Sequence, residues 1–358
     1  MSKVTYIFGA GASFGERTPS PSNPNLKDIS RGLPIVSELQ AAIKSQIYLL
    51  EGRHAIEDFN ELGINKDEAA FLKNTLQILA DICASYPTID TYAKQLFVTK
   101  RNDIRLTSTL NENSYNALKR LLSVAFLLLQ EENKRDLRYD GFIASLINAK
   151  REFPPMTILS WNYDIQFEMA YSGYYKTERY IPTLWKELNV LNKTYLTEYD
   201  NTKDFAIIKM NGTALFTDAE GKRIKIGECS EEYMTDVFYG GSSRSKYKYA
   251  WAYLTYPQYH NTLSYAWEES HKVDIEKAIQ QRVADTKDLI IIGYSFPYVN
   301  NEKDKIAISN MSQLERVYIQ DPNFEDIKER IESMLPENHQ VKFISKKTNQ
   351  FFIPNSFL

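Results

Sequence analysis

Val4-Thr5-Tyr6-Ile7-Phe8-Gly9-Ala10-Gly11-Ala12-Ser13 decides how the rest of the chain is read. Its first five residues are apolar, β-branched or aromatic, a run of strand type. Glycine interrupts at Gly9 and again at Gly11, so the strand runs into a tight turn. A glycine turn right after an apolar strand is where a dinucleotide fold keeps its phosphate loop. Glycines let the backbone approach a pyrophosphate, and the amides of the following helix point at the anion. The usual fingerprint would place a third glycine at position 14, but Phe14 stands there and Gly15 comes one later. No Gly-Lys-Ser/Thr follows, which excludes a P-loop kinase. Taken alone the turn is a weak signal, and a tight strand–helix turn without a ligand is the plainer reading; its place right after an apolar strand at the N-terminus favours the ligand.

Outward from this stretch, the polar run Thr18 to Asn25 reads as a loop. From Pro34 to about Lys150 the pattern is helical, with Leu118, Leu122, Ala125 and Leu129 in helical period; it predicts four or five helices and no strand. The pattern changes at Pro154-Pro155. Met156 to Ser160, Phe205 to Met210, Asp288 to Ile292, Arg316 to Ile319 and Gln340 to Ile344 are short apolar strands with helices between them. That alternation predicts an α/β fold, a Rossmann-like parallel sheet with helices on both faces and a large helical insertion after the first strand. Residues 1–33 would carry the first strand and phosphate loop, 34–152 the insertion, and 153–358 the remainder of the nucleotide-binding domain.

The bulk numbers set limits. The chain has 358 residues, 43% hydrophobic and 25% charged, ordinary for a globular protein with a large core. A formal net charge of -3 supplies no global basic field to draw it to nucleic acid or a membrane. The longest apolar stretch, Leu121 to Leu129, falls short of the about 20 residues that a bilayer needs. Cys83 and Cys229 lie far apart, so neither a disulfide framework nor a zinc ribbon is expected. The N-terminus runs straight into a strand with no secretory leader, and a cytoplasmic location is expected. A high aromatic share, 13%, suits interfaces. Arg244 to Trp251 interleaves charge and rings; this reads as a strand with one wet and one packed face, and direct nucleic-acid binding is not expected.

Four segments carry a resemblance. Gly9-Ala10-Gly11-Ala12-Ser13, Ser160-Trp161-Asn162-Tyr163-Asp164, Lys209-Met210-Asn211-Gly212 and Gly293-Tyr294-Ser295-Phe296-Pro297, in this order and spacing, resemble the sirtuin-like proteins of bacterial anti-phage defence systems. Thr88-Ile89-Asp90-Thr91 looks like the short Ser/Thr-Ile-Asp element of that family's helical region, and Tyr256-Pro257 through Trp267 and Ala278 resembles the helix before its Gly-Tyr-Ser strand. The resemblance implies a Rossmann-like fold with NAD as substrate, hydrolysed to ADP-ribose and nicotinamide. It also implies a protein partner, a sensor or ATPase of the same defence system, and a homo-oligomer. Protein deacylation is not expected, because the four-cysteine zinc module of classical sirtuins is missing.

The same resemblance assigns roles. Gly9, Ala10, Gly11 and Ser13 would cradle the pyrophosphate. Asn162 would contact the ribose or the attacking water, and Asp164 would orient the nicotinamide amide. Gly293 and Ser295 would meet the adenosine half. Each has a plainer reading: Asp164 as the cap of a helix over Ile165 to Tyr171, Asn162 as a turn amide, Gly293 to Ser295 as an ordinary strand–helix turn. Asp321 suits a ribose hydroxyl after a late strand, but Asp321-Pro322-Asn323 is also a good helix start. The departure from the family is Asn211, where a histidine usually acts as general base. An amide takes no proton at neutral pH. Asn211 would instead hydrogen-bond a ribose hydroxyl, with Asp164 supplying charge. Of His54, His260, His271 and His339, His260 is the nearest candidate for the missing base. No metal-ligand spacing occurs and the chemistry needs no metal. Two readings stay open, an NAD hydrolase and a module that binds NAD or a related nucleotide and regulates a partner.

Overall fold

Val4–Phe8 forms β1, buried along its whole length at the centre of a seven-stranded sheet. A computed structural model describes residues 4–19, 27–54, 63–174, 181–194, 198–217, 224–225, 246–269, 274–337 and 339–357. On one side of β1 lie β4 (Met156–Ser160), β6 (Phe205–Lys209) and β5 (Val190–Asn192); on the other lie β10 (Asp288–Ile292), β11 (Arg316–Gln320) and β12 (Lys342–Ser345). Every pairing is parallel, and Val4 stands opposite both Met156 and Asp288. Strands covered on both faces read as continuous apolar runs, which is why β1, β4, β6 and β10 were legible. Thr5 is the polar exception in β1, and its hydroxyl bonds that of Thr286 at 2.7 Å.

The pleat divides the core. Val4, Tyr6 and Phe8 pack with α6 (Leu137–Leu146), α7 (Gln166–Ser172) and α8 (Ile181–Glu187), while Ile7 faces the layer of α10 (Ile275–Val283), α11 (Asn301–Ser309) and α12 (Phe324–Glu332). The result is the expected Rossmann-like arrangement.

The helical stretch after β1 holds α1 (Leu39–His54), α2 (Lys66–Ser85), α3 (Ile89–Thr99), α4 (Ile104–Leu110), α5 (Ser114–Glu132) and α6, two or one more than the pattern predicted. Polar N-caps start most of them: the side chains of Asn65, Thr88, Asp103, Asn113 and Asp136 each accept a first-turn amide. Helix α5 is buried nearly all round and sits at the centre of a second core. That core is not made by α1–α5 alone. It also takes Ala214 and Phe216 of β7 (Gly212–Thr217), Leu263 of β9 (His260–Leu263), and Tyr247, Ala250, Tyr253 and Leu254 of α9 (Lys246–Thr255). Helix α6, by contrast, packs Tyr139, Phe142 and Ile143 against the sheet.

Several expectations change. Thr18 and Pro19 end a strand, β2 (Glu16–Pro19), paired antiparallel with β3 (Lys27–Arg31); residues 20–25 of the expected loop lie outside the described residues. Lys246 to Trp251 is helical rather than a strand, because Tyr247, Ala250 and Leu254 bury at helical spacing and the Lys246 ammonium pairs with Glu132. Arg244 and Ser245 lie outside the described residues. Between Tyr256 and Ala278 only α10 is a described helix; β9 pairs there with β7, which also pairs with β8 (Ile224–Lys225), a small sheet the sequence did not signal. No described helix is long and apolar enough to cross a membrane.

Candidate functional site

Four loops leave the carboxyl ends of the adjacent strands β10, β1, β4 and β6, and they are the four segments singled out in the sequence. The chain builds outward from β1 through β4 to β6, then returns to lay β10, β11 and β12 on the other side. Strand order therefore reverses between β1 and β10, the place where open α/β sheets leave a crevice. A cleft of about 780 Å³, its open mouth included, lies there. Ala10 and Ser13, Asn162 and Asp164, Asn211, and Gly293 and Ser295 all line it.

Gly9, Gly11 and Asp321 do not. The two glycines are explained by the neighbouring loop. A β-carbon on Gly9 would fall 2.4 Å from the Gly293 carbonyl oxygen, and one on Gly11 would fall 2.6 Å from the Gly293 Cα. Gly293 has φ +58° and is packed on Gly11 in turn. The amides of Gly9 and Gly11 donate to the carbonyls of Ile292 and Gly293, that of Ala12 to Gly9, and that of Phe14 to Gly11. The Gly9 and Gly11 amides, expected to face a pyrophosphate, are thus spent in joining the β1 and β10 loops. Asp321 sits one strand further out, where its Oδ1 accepts the Asn323 amide at 2.9 Å and burial raises its pKa. The helix-start reading is the one its contacts carry.

The sheet side of the cleft is polar and locked. Ser13, 1% exposed, shares its hydroxyl with Tyr139 Oη at 2.9 Å and accepts Asn162 Nδ2 at 3.0 Å. Asp164 accepts the Gln166 amide at 3.0 Å, so it holds the start of α7 while lining the cleft. Burial raises its pKa, and the Lys209 charge and the Ser13 hydroxyl oppose that rise. Lys209 is itself held by Glu168 at 2.9 Å and by the Asp164 carbonyl at 3.0 Å, both side chains almost wholly buried. Asn211 donates to the Trp161 carbonyl at 3.2 Å and accepts the Ala266 amide at 3.0 Å. Both ends of its amide are engaged by backbone.

No protein-family model, curated protein or solved structure matches this chain.

The opposite side comes from the helical module: Leu33, Ile35, Val36, Ile89, Asp90 and Phe126. Thr88 caps α3 by accepting the Thr91 amide, which sets Asp90 in the first turn. An acid there is favoured by the helix dipole. Asp90 is partly exposed to the cleft and accepts a hydrogen bond from Tyr163 Oη. Burial pushes its carboxyl up to about 6, against the lowering effect of the Tyr163 hydrogen bond. A carboxyl titrating near neutrality in a cleft is suited to proton transfer. Trp161 and Tyr294 stack at 5.4 Å and close the end beside β10.

The histidine candidate fails: His260 is exposed on β9 and does not line the cleft, and the His339 ring bonds the Leu314 carbonyl at 2.7 Å. The side chain of His54 and all of His271 lie outside the described residues. Sequence reasoning saw Thr88-Ile89-Asp90 as a motif but gave Asp90 no role; its position after a threonine cap was the available signal. Phe126, inside a long helix, gave none.

Proposed function

We propose that this chain is a sirtuin-like NAD hydrolase, releasing nicotinamide and ADP-ribose. The observation that carries the reading is the convergence of Ser13, Asn162, Asp164 and Asn211 from three separate loops on one cleft at the reversal of strand order. In the reaction, water's oxygen bonds to the ribose carbon, the nitrogen–carbon bond breaks with its electron pair leaving on nicotinamide, and one proton is released. The step passes through a cationic, oxocarbenium-like state, which fixed negative charge and dipoles stabilise. Asp164 is the buried carboxylate available for this, and Asn162, anchored on Ser13, orients the ribose or water. The family resemblance adds the biological setting: an effector of anti-phage defence that depletes NAD, restrained by a partner or an oligomer until triggered.

A second reading has its own observations. With Asn211 held at both ends by backbone and the Gly9 and Gly11 amides spent internally, the cleft also suits a module that holds NAD or a related nucleotide and regulates a partner without turning it over.

Nicotinamide release from NAD by wild type and Asn162→Ala, each alone and in lysate from phage-infected cells, separates the two. Release by wild type and not by the variant supports hydrolysis. NAD binding without release under any condition supports the regulatory module, and absence of NAD binding defeats both.

A further inference from the structure

The cleft is lined by two carboxylates, Asp90 and Asp164, and no lysine or arginine is among its lining residues. The two differ in what already occupies them. Asp164 accepts the Gln166 amide at the start of α7, meets Ser13 and lies in the field of Lys209. Among the described residues, Asp90 is bonded by the Tyr163 hydroxyl and by no cation.

Its surroundings are aromatic. Phe126 stands edge-on to Tyr163 at 5.4 Å, and Tyr163 to Tyr265 at 6.1 Å. Burial raises the phenols of Tyr163, Tyr265 and Tyr294 well above their usual value, and the Asp90 charge adds to each rise. Nearby, the buried Asn300 donates to Tyr294 Oη while its own Oδ1 has no hydrogen-bond partner. A carboxylate set among π faces and a spare amide oxygen, open on one side to a cleft, is an environment short of positive charge. Aromatic faces and carboxylates both attract organic cations.

We propose that Asp90 selects the charge of the ligand, holding a flat organic cation of the N-substituted pyridinium class against Tyr163 and Tyr294. The inference rests on the reading of the cleft as an NAD site and names the part of the ligand that the helical module recognises. It also explains why a carboxyl is kept in so apolar a wall. The groups facing Asp90 are the phenols of Tyr163, Tyr265 and Tyr294, all neutral across the working range. Two further carboxyls that burial raises stand near the ring site, Asp164 across the cleft and Asp304, which accepts from Tyr294 Oη, so the Asp90 variants assign the effect.

The test uses the full chain and a dinucleotide that does not turn over: the carbocyclic analogue of NAD, with a cationic ring, and its dihydro form, with a neutral one. Calorimetry compares their affinities for wild type, Asp90→Asn and Asp90→Glu. Wild type is expected to prefer the cation by roughly tenfold. Asp90→Asn, which still accepts from Tyr163, should bind both forms alike, and Asp90→Glu should recover part of the preference. In wild type the preference should fade as pH drops through about 6 and the proton competes with the cation. Equal affinities in wild type, or an undiminished preference in Asp90→Asn, overturn the proposal. If wild type binds neither form, the NAD-site reading falls with it. If the preference holds but natural NAD releases no nicotinamide, only the hydrolysis reading falls.

Discussion

The two walls of the cleft are built on different principles. The sheet wall is a closed network: Asn162 on Ser13, Ser13 on Tyr139, Asp164 on the start of α7, Asn211 on two backbone groups, and Lys209 on Glu168 behind them. The helical wall is apolar except for one carboxyl, Asp90, bonded by a single phenol. A wall whose polar side chains are tied to one another and to the backbone is preorganised and contributes to stability. A half-buried carboxyl with so little compensation weakens the fold and is retained where a ligand needs it. The difference separates residues that hold the site from the residue that meets the ligand's charge.

The sharpest way to break this comparison is the ion pair behind the sheet wall. Glu168→Gln leaves Lys209 buried without its charge partner, and a loss of about 3–5 kcal/mol in chemical denaturation is expected; Lys209→Met combined with Glu168→Gln should recover much of it. A loss under about 1 kcal/mol would mean the network does not hold the wall. Next comes the loop junction. Gly293→Ala must place a β-carbon at φ +58° against Gly11, and a loss of about 3 kcal/mol is expected without any ligand present. A variant that melts like wild type but fails to bind dinucleotide would return the glycines to a ligand-contact role.

Asn211→Ala strands the Trp161 carbonyl and the Ala266 amide, so about 1–3 kcal/mol should be lost. For the same reason Asn211→His should be destabilised rather than gain activity, which a nicotinamide-release assay checks. The helical wall should behave in the opposite sense. Asp90 has its folded-state pKa raised from 3.8 to about 6, so the folded protein binds this proton more tightly than the unfolded chain. Stability from this group is present at low pH and lost as pH rises between those values. Asp90→Asn should therefore stabilise the protein at pH 7 by up to about 3 kcal/mol, the equivalent of that rise in pKa, with the gain disappearing toward pH 4. A destabilised Asp90→Asn at pH 7 would make Asp90 a group that holds the fold. The smallest effect belongs to Ser295→Ala: the side chain is exposed at the cleft rim, and thermal melting should move by less than about 0.5 kcal/mol equivalent.

Legibility followed local chemistry. The strands β1, β4, β6 and β10 were readable because a parallel strand covered on both faces must be apolar throughout. α9 was misread since alternating charge and rings fits period two as well as a helix whose buried face holds Tyr247, Ala250 and Leu254. The small strands β7 and β9 were missed because each is stabilised by the other and by α5, partners remote in sequence.

By itself, then, the sequence determined the parallel sheet, the glycine turn after its first strand and the set of polar residues at strand ends, all consequences of short-range periodicity and turn chemistry. Tertiary structure decided what those residues do. Only the packing of the β10 loop on the β1 loop shows that Gly9 and Gly11 serve a backbone contact. Only the closure of the helical module over the sheet brings Asp90 to the cleft, because a carboxyl's environment depends on desolvation and on neighbours from other segments, and neither is written in the residues beside it.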